Sequence, residues 1–286
     1  MTQPAITPRS EWGGDLAPTG PVPDEPDVRF LLVHHSVDGN DYAAADVVGL
    51  LRAIYGFHTS AEKGWPDIAY NFFVDQFGGI WEGRTGSLAG PKAGDATGGS
   101  QGFAQLVCLL GDHRTEPPSA AAVDSLVATL AWLADRSGVD VSPGATTTFA
   151  SRGSNKWPAG ASVTAATISG HRDMTFTECP GDAAYGLVAD GTLAARATAL
   201  RTPAPTTTTT SATEPPTTTT TTAPPTTTTT EPTTTTTAPP ATTGVAAAPV
   251  TVDAETPSRP WLPAAAATTG VAAVLGGLIA LRRRRL

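Results

Sequence analysis

Phe30-Leu-Leu-Val-His-His-Ser36 is an apolar run that ends abruptly in two imidazoles. A short continuous apolar stretch of this kind predicts a buried strand, with Val28 to His34 as its span. In an α/β fold the end of such a strand is where chemistry is presented. Adjacent strand residues face opposite ways, so His34 is the candidate for a site and His35 belongs to the other face. Far downstream, Ser169-Gly-His-Arg-Asp-Met-Thr-Phe-Thr-Glu-Cys-Pro180 holds one imidazole, His171, and one thiol, Cys179, among turn formers. Imidazole and thiolate are the ligand types that borderline-soft Zn²⁺ prefers, and a catalytic zinc takes three of them while keeping a fourth position open. His34, His171 and Cys179 are therefore the candidate ligands of a zinc site closed by tertiary folding.

Outward from these two stretches, strand and helix patterns interleave. Asn40 or Asp41 is placed to cap a helix from about Tyr42 to His58, where Val47, Leu50, Leu51, Ile54, Tyr55 and Phe57 recur at helical spacing. Ala69 to Asp75 and Ile80 to Glu82, joined across Gly78-Gly79, predict a hairpin. The glycine-rich stretch from Gly83 to Gly102 predicts a long loop of the kind that carries function. Ala104 to Leu110 reads as a further buried strand. Pro117-Pro-Ser119 opens an amphipathic helix with Val123, Leu126, Val127, Leu130, Leu133 and Ala134 on one face. An irregular stretch then leads to a short strand at Val163 to Ile168, and one helix from Ala183 to about Leu200 closes the domain. The pattern predicts an α/β fold, a mixed central β-sheet flanked by helices.

Composition divides the 286 residues. Residues 1–201 have the mixed content of a globular domain large enough to bury a core. Residues 202–260 are Thr/Pro low complexity, which predicts a disordered, solvated spacer that reaches on the order of 100 Å in the polyproline limit. Residues 261–286 hold an uncharged run from Leu262 to Leu281 followed by Arg282-Arg-Arg-Arg285, which predicts a single transmembrane helix with its arginines cytoplasmic and the N-terminal domain outside the cell membrane. Met1 to Pro8 lack the basic and apolar regions of a secretory leader. A formal charge of −8 argues against a nucleic-acid partner. Two cysteines are too few for a disulfide scaffold, and Cys108 reads as a small hydrophobe of a buried strand. A Cys108–Cys179 bridge would consume the proposed ligand, so both thiols are expected free.

Taken together, Ser10-Glu-Trp12, Val33-His-His-Ser36, Tyr70-Asn-Phe72, Ile80-Trp-Glu-Gly-Arg84, Gly170-His-Arg-Asp173 and Cys179-Pro-Gly-Asp182 resemble the peptidoglycan recognition protein and type-2 N-acetylmuramoyl-L-alanine amidase family. The match runs from about Ile6 to Leu187. The segment Asn40 to Asp46 is most similar to actinobacterial secreted members. The resemblance implies a mixed sheet flanked by helices, with His34, His171 and Cys179 as zinc ligands and Tyr70 as the tyrosine that supports the reacting carbonyl. Thr177 stands where recognition-protein members carry Thr and phage-type members Lys. Asn71 and Arg84 are candidate contacts to the muramyl peptide. Lys92-Ala-Gly-Asp-Ala96 departs from the family, with Asp95 where a histidine usually stands.

The implied reaction is zinc-dependent hydrolysis of the amide joining N-acetylmuramic acid to L-alanine, carried out by a monomer. The metal activates water and polarises the carbonyl, Tyr70 supports the oxyanion, and Thr177 adds a hydrogen bond. Two competitors stand beside this expectation. One is a peptidoglycan-binding module without catalysis, which the Asp95 departure favours and the presence of Cys179 disfavours. The other is a cytosolic recycling amidase, which leaves the Thr/Pro stretch and the terminal apolar run unexplained.

Overall fold

The computed structural model describes residues 1–98 and 102–201. The Thr/Pro spacer and the apolar segment before Arg282 lie outside the described residues. Among the described residues, no helix is long and apolar enough to cross a membrane.

The central sheet has five strands: β1 (Phe30–His35), β2 (Phe72–Val74), β3 (Ile80–Glu82), β4 (Ala104–Leu109) and β7 (Ile168–Gly170), in the order β3-β2-β4-β1-β7. The pairs β1–β4, β1–β7 and β2–β4 are parallel, and only the β2–β3 hairpin is antiparallel. The mixed sheet with flanking helices is thus as the sequence pattern predicts. Strand β1 lies next to the sheet edge, buried along its whole length, which is why its sequence is an unbroken apolar run.

Alternation along β1 sorts the core. Leu31 and Val33 face the helix α3 (Ala120–Ser137), together with Leu126, Leu130 and Leu133. The helices α5 (Asp182–Ala189) and α6 (Thr192–Arg201) lie on the same side. The opposite face carries the helix α2 (Val47–His58), whose Val47, Leu51 and Ile54 pack with Phe73 and Cys108. A short helix α1 (Arg9–Gly13) brings Trp12 into that cluster. Phe30 and Leu32 point towards the two-stranded sheet β5 (Thr146–Ala150) and β6 (Ser162–Ala166), where Phe149 stacks on Phe30 at 5.4 Å between ring centroids.

Among the boundaries that differ from the sequence expectations, four have a local reason. The helix expected from Tyr42 begins at Val47, after a single 3₁₀ turn (Ala44–Asp46) in which the Asp46 carboxylate accepts from the Ala43 amide at 2.8 Å. Asn40 caps nothing, because its side chain bonds the backbone of Asp112 and the Glu116 carboxylate. Strand β5 sits inside the stretch expected to be irregular; only Phe149 of its five residues is buried, so its hydrophobic signal is one residue long. The single closing helix is two. Gly191 takes φ 78°, which a helix cannot hold, and the Asp190 carboxylate accepts from the Thr192 amide at 2.8 Å where the second segment begins.

Helix α3 is capped at both ends: the Ser119 hydroxyl accepts from the Ala122 amide at 3.0 Å, and Gly138 ends it in the left-handed conformation at φ 67°. Its Leu130 is fully buried against the sheet. Replacing it, Leu130→Ala, should lower the unfolding free energy by about 2–5 kcal/mol, read as a shift of the urea midpoint at unchanged slope. A loss below ~1 kcal/mol would mean that α3 is not packed on the sheet in this way.

Candidate metal centre

Register places the first two candidate ligands. In the parallel β1–β7 pair, Val33 lies opposite Gly170, so the next residues of the two strands, His34 and His171, emerge side by side. Their ring centroids are 4.5 Å apart. His171 opens a four-residue helical turn, α4 (His171–Met174), rather than lying in a loop. The chain then returns to the sheet end, where the Arg172 amide donates to the Cys179 carbonyl at 2.9 Å and closes the loop. This brings Cys179 Sγ to 3.5 Å from His34 Nδ1.

His34, His171 and Cys179 each offer one ligand atom, and these atoms lie within 4.8 Å of one another. In a tetrahedral zinc site, metal–nitrogen lengths of about 2.0 Å and metal–sulfur lengths of about 2.3 Å separate N and S by about 3.5 Å. The His34–Cys179 pair already has that spacing. The donor chemistry fits as well. Burial, followed by the neighbouring His171, holds His34 well below the usual imidazole range, and burial pushes His171 down to about 3. Both rings are therefore neutral and can offer a lone pair at neutral pH. Nε2 of each ring is buried without a hydrogen-bond partner among the described residues. Cys179 Sγ accepts from the His35 amide at 3.4 Å, a donor that favours the thiolate. Cys108, opposite His34 on β4, has its thiol pushed up by burial and points into the α2 core; the two cysteines are not joined in a disulfide.

Around the centre, the Asp173 carboxylate ties the turn to the sheet, accepting from the Gly170 amide at 2.8 Å and from the Tyr185 hydroxyl at 2.7 Å. Tyr70 precedes β2 rather than lying in it, and its ring stands 4.9 Å from that of His34. Thr177 is half-buried; its hydroxyl accepts from the Cys179 amide at 3.3 Å, and it lines a cleft of about 290 Å³ with Arg114, Arg172 and Asp182. His35, on the opposite face as expected, accepts from the His113 amide at 3.2 Å.

The three candidate substrate contacts sit apart from these. Asn71 has no exposed surface: it accepts from the Leu106 amide at 2.8 Å and donates to Lys92 and Ser87. Arg84 is just as deeply buried and donates to the Ile68 carbonyl at 2.9 Å and to Asp95 at 2.6 Å. Both pin the 83–98 segment from within. Only Asp95 reaches the surface, with its carboxyl raised by burial against the pull of Arg84.

One residue beside the centre escaped the sequence reading. His58 ends α2 one helical turn after Ile54, accepts from the Ala69 amide at 3.1 Å, and sets its ring edge-on to both Trp65 and Tyr70. A buried polar residue on the apolar stripe of a helix was the available signal.

A family model described as N-acetylmuramoyl-L-alanine amidase matches residues 24–182 of this chain. An N-acetylmuramoyl-L-alanine amidase of Sus scrofa is 30% identical over 189 residues, covering 65% of this chain but only 27% of that protein. Peptidoglycan-recognition protein LB of Drosophila melanogaster is 28% identical over 182 residues, covering 60% of this chain and 62% of that one. The chain thus spans less than two thirds of the length of either. Among solved structures, Drosophila peptidoglycan recognition protein SD superposes with a TM-score of 0.51 at 18% identity, covering 65% of this chain and 94% of that one, a likeness of fold.

All five histidines of the chain are buried. Burial lowers each of them, His35 to about 4 and His58 and His171 to about 3. An unfolded imidazole takes up its proton near pH 6.5. The unfolded chain therefore binds more protons than the folded one below that pH, and stability falls as pH falls. Each imidazole contributes up to about 1.4 kcal/mol per pH unit in this window. The melting temperature of the chelator-treated chain should drop steadily from pH 7.5 to pH 5; a flat profile would contradict the burial of neutral rings.

Proposed function

The chain belongs to the N-acetylmuramoyl-L-alanine amidase family, and we propose that it is a zinc-dependent peptidoglycan amidase, cleaving the bond between N-acetylmuramic acid and L-alanine. The observation that carries this reading is the convergence of two neutral imidazoles and one thiol at the end of two neighbouring parallel strands. Zinc bound there would supply Lewis acidity, polarising the scissile carbonyl and acidifying water. His34, His171 and Cys179 would hold it. The packing of the Tyr70 ring beside His34 supports a role for its phenol as a donor to the carbonyl oxygen as charge develops on it. Thr177, whose hydroxyl accepts from the Cys179 amide, would offer one further hydrogen bond. Hydrolysis breaks the amide C–N bond, leaving a lactyl carboxylate and the free α-amine of L-alanine.

Within this proposal, residues 1–201 form the catalytic domain of a monomer held outside the cell membrane, residues 202–260 a solvated stalk, and residues 261–286 a single-pass anchor. A second reading, a recognition module that binds muramyl peptides without cutting them, is favoured by Asp95, which is locked to Arg84 where the family resemblance places a histidine.

Incubating the full-length chain with peptidoglycan and analysing the products by mass spectrometry separates the two. Stem peptides with a free L-alanine amine should appear, and should vanish with Cys179→Ala and after chelation. Tyr70→Phe should lower kcat by about 10²–10³-fold, with KM changed far less. Retained pulldown of the polymer by zinc-loaded wild type without any release would sink the enzyme and leave the recognition module.

A further inference from the structure

The loop that carries two of the candidate ligands is gripped from outside by the tip of the hairpin that precedes it in the chain. Residues 151–161 join β5 to β6, and their tip is a tight turn in which the Ser154 hydroxyl accepts from the amides of Lys156 and Trp157 at 3.1 and 3.0 Å. The turn aims three consecutive side chains at the segment between His171 and Cys179. Asn155 Oδ1 accepts from the Phe176 amide at 2.9 Å and from the Thr175 hydroxyl. Lys156 Nζ donates to the carbonyls of Arg172 and Asp173 at 3.0 and 3.1 Å. Trp157 packs into the cluster that contains Met174. Three of the four bonds made by Asn155 and Lys156 fall on backbone groups, so they fix the path of the chain more than the rotamer of one residue.

We infer that the tip of the β5–β6 hairpin is the positioning element of the metal centre, with Asn155 and Lys156 as its working residues; this rests on the zinc reading given above. Two observations support it beyond proximity. The bonds land on the arc that spaces His171 from Cys179, and charge-assisted donation by Lys156 is stronger than a neutral hydrogen bond. The inner side of the same arc is held by Asp173 through Gly170 and Tyr185, so the hairpin supplies the outer constraint on a loop already anchored within. Freeing the outer side should let the Cys179 thiolate drift from the imidazoles and weaken binding without unfolding the domain.

The test measures metal affinity rather than turnover. Full-length wild type, Asn155→Ala, Lys156→Met, the double variant, Asn155→Asp and Cys179→Ala would be titrated with Zn²⁺ against a chelator. Co²⁺ would serve as the optical probe through its thiolate charge-transfer and ligand-field bands. Loss of groups that orient ligands typically costs about 10- to 100-fold in metal affinity, and that is the loss expected for the double variant. Its cobalt bands should shift while the metal-free melting temperature stays near wild type. Asn155→Asp, which keeps the acceptor oxygen, should bind like wild type. One-equivalent binding at unchanged affinity in the double variant would overturn the inference and leave the zinc site standing. Affinity loss accompanied by collapse of the metal-free fold, and not spared in Asn155→Asp, would make the tip merely structural and also overturn it. If wild type binds no zinc and behaves like Cys179→Ala, the zinc reading itself fails and takes this inference with it.

Discussion

Parallel pairing of Val33 with Gly170 is the constraint on which the centre depends. Because side chains alternate with period two, the pairing that buries Leu31 and Ile168 on the α3 face also puts His34 and His171 together at the strand ends. A slip of one residue would send one imidazole to the wrong face and one core residue out of the core. Packing and chemistry are thus specified by the same register. The cost of moving either falls on both, and this makes the site as firmly set as the sheet itself.

The price of that arrangement is electrostatic. Five imidazoles are buried in one domain, and each is held neutral by loss of solvation. Their backbone partners differ. His35 and His58 accept from main-chain amides through Nδ1, which leaves their lone pairs committed. His34 faces the Cys179 sulfur, and Nε2 of both His34 and His171 has no described partner. The polarity of the domain is therefore uneven: His35 and His58 are satisfied by the fold, while the two candidate ligands His34 and His171 each keep an unengaged ring nitrogen.

Much of this was legible in the sequence, and the omissions have physical causes. Strands β1 and β4 and helix α3 announce themselves because their side chains meet the core along most of their length, so pattern and burial coincide. Strand β5 does not, because four of its five residues face outwards or sideways and only Phe149 is buried. Asn40 looks like a helix cap by residue type, yet it serves the loop at Asp112, a partner that only tertiary structure supplies. The three candidate ligands could be gathered from donor type and motif order. Asn71 and Arg84 could be singled out in the same way, but not their burial, which turns them from candidate contacts into internal ties. Asn155 and Lys156 carry no signal at all, since what they hold is mostly backbone.

Strand β7 is three residues long and forms one edge of the sheet, with a neighbour on one side only. Short edge strands are where a sheet frays most readily, at a free energy below that of global unfolding. One ligand, His171, follows directly on this edge strand, a second, Cys179, closes the loop that leaves it, and the third belongs to the firmly held neighbour β1. An ion that bridges them would act as a clasp, suppressing the open form in proportion to its own binding, while the frayed fraction would in turn weaken the ion's apparent affinity. The edge of the sheet and the metal would then be coupled partners, each measurable through the other: slower amide exchange along Ile168 to Gly170 would report occupancy of a centre that those amides do not touch.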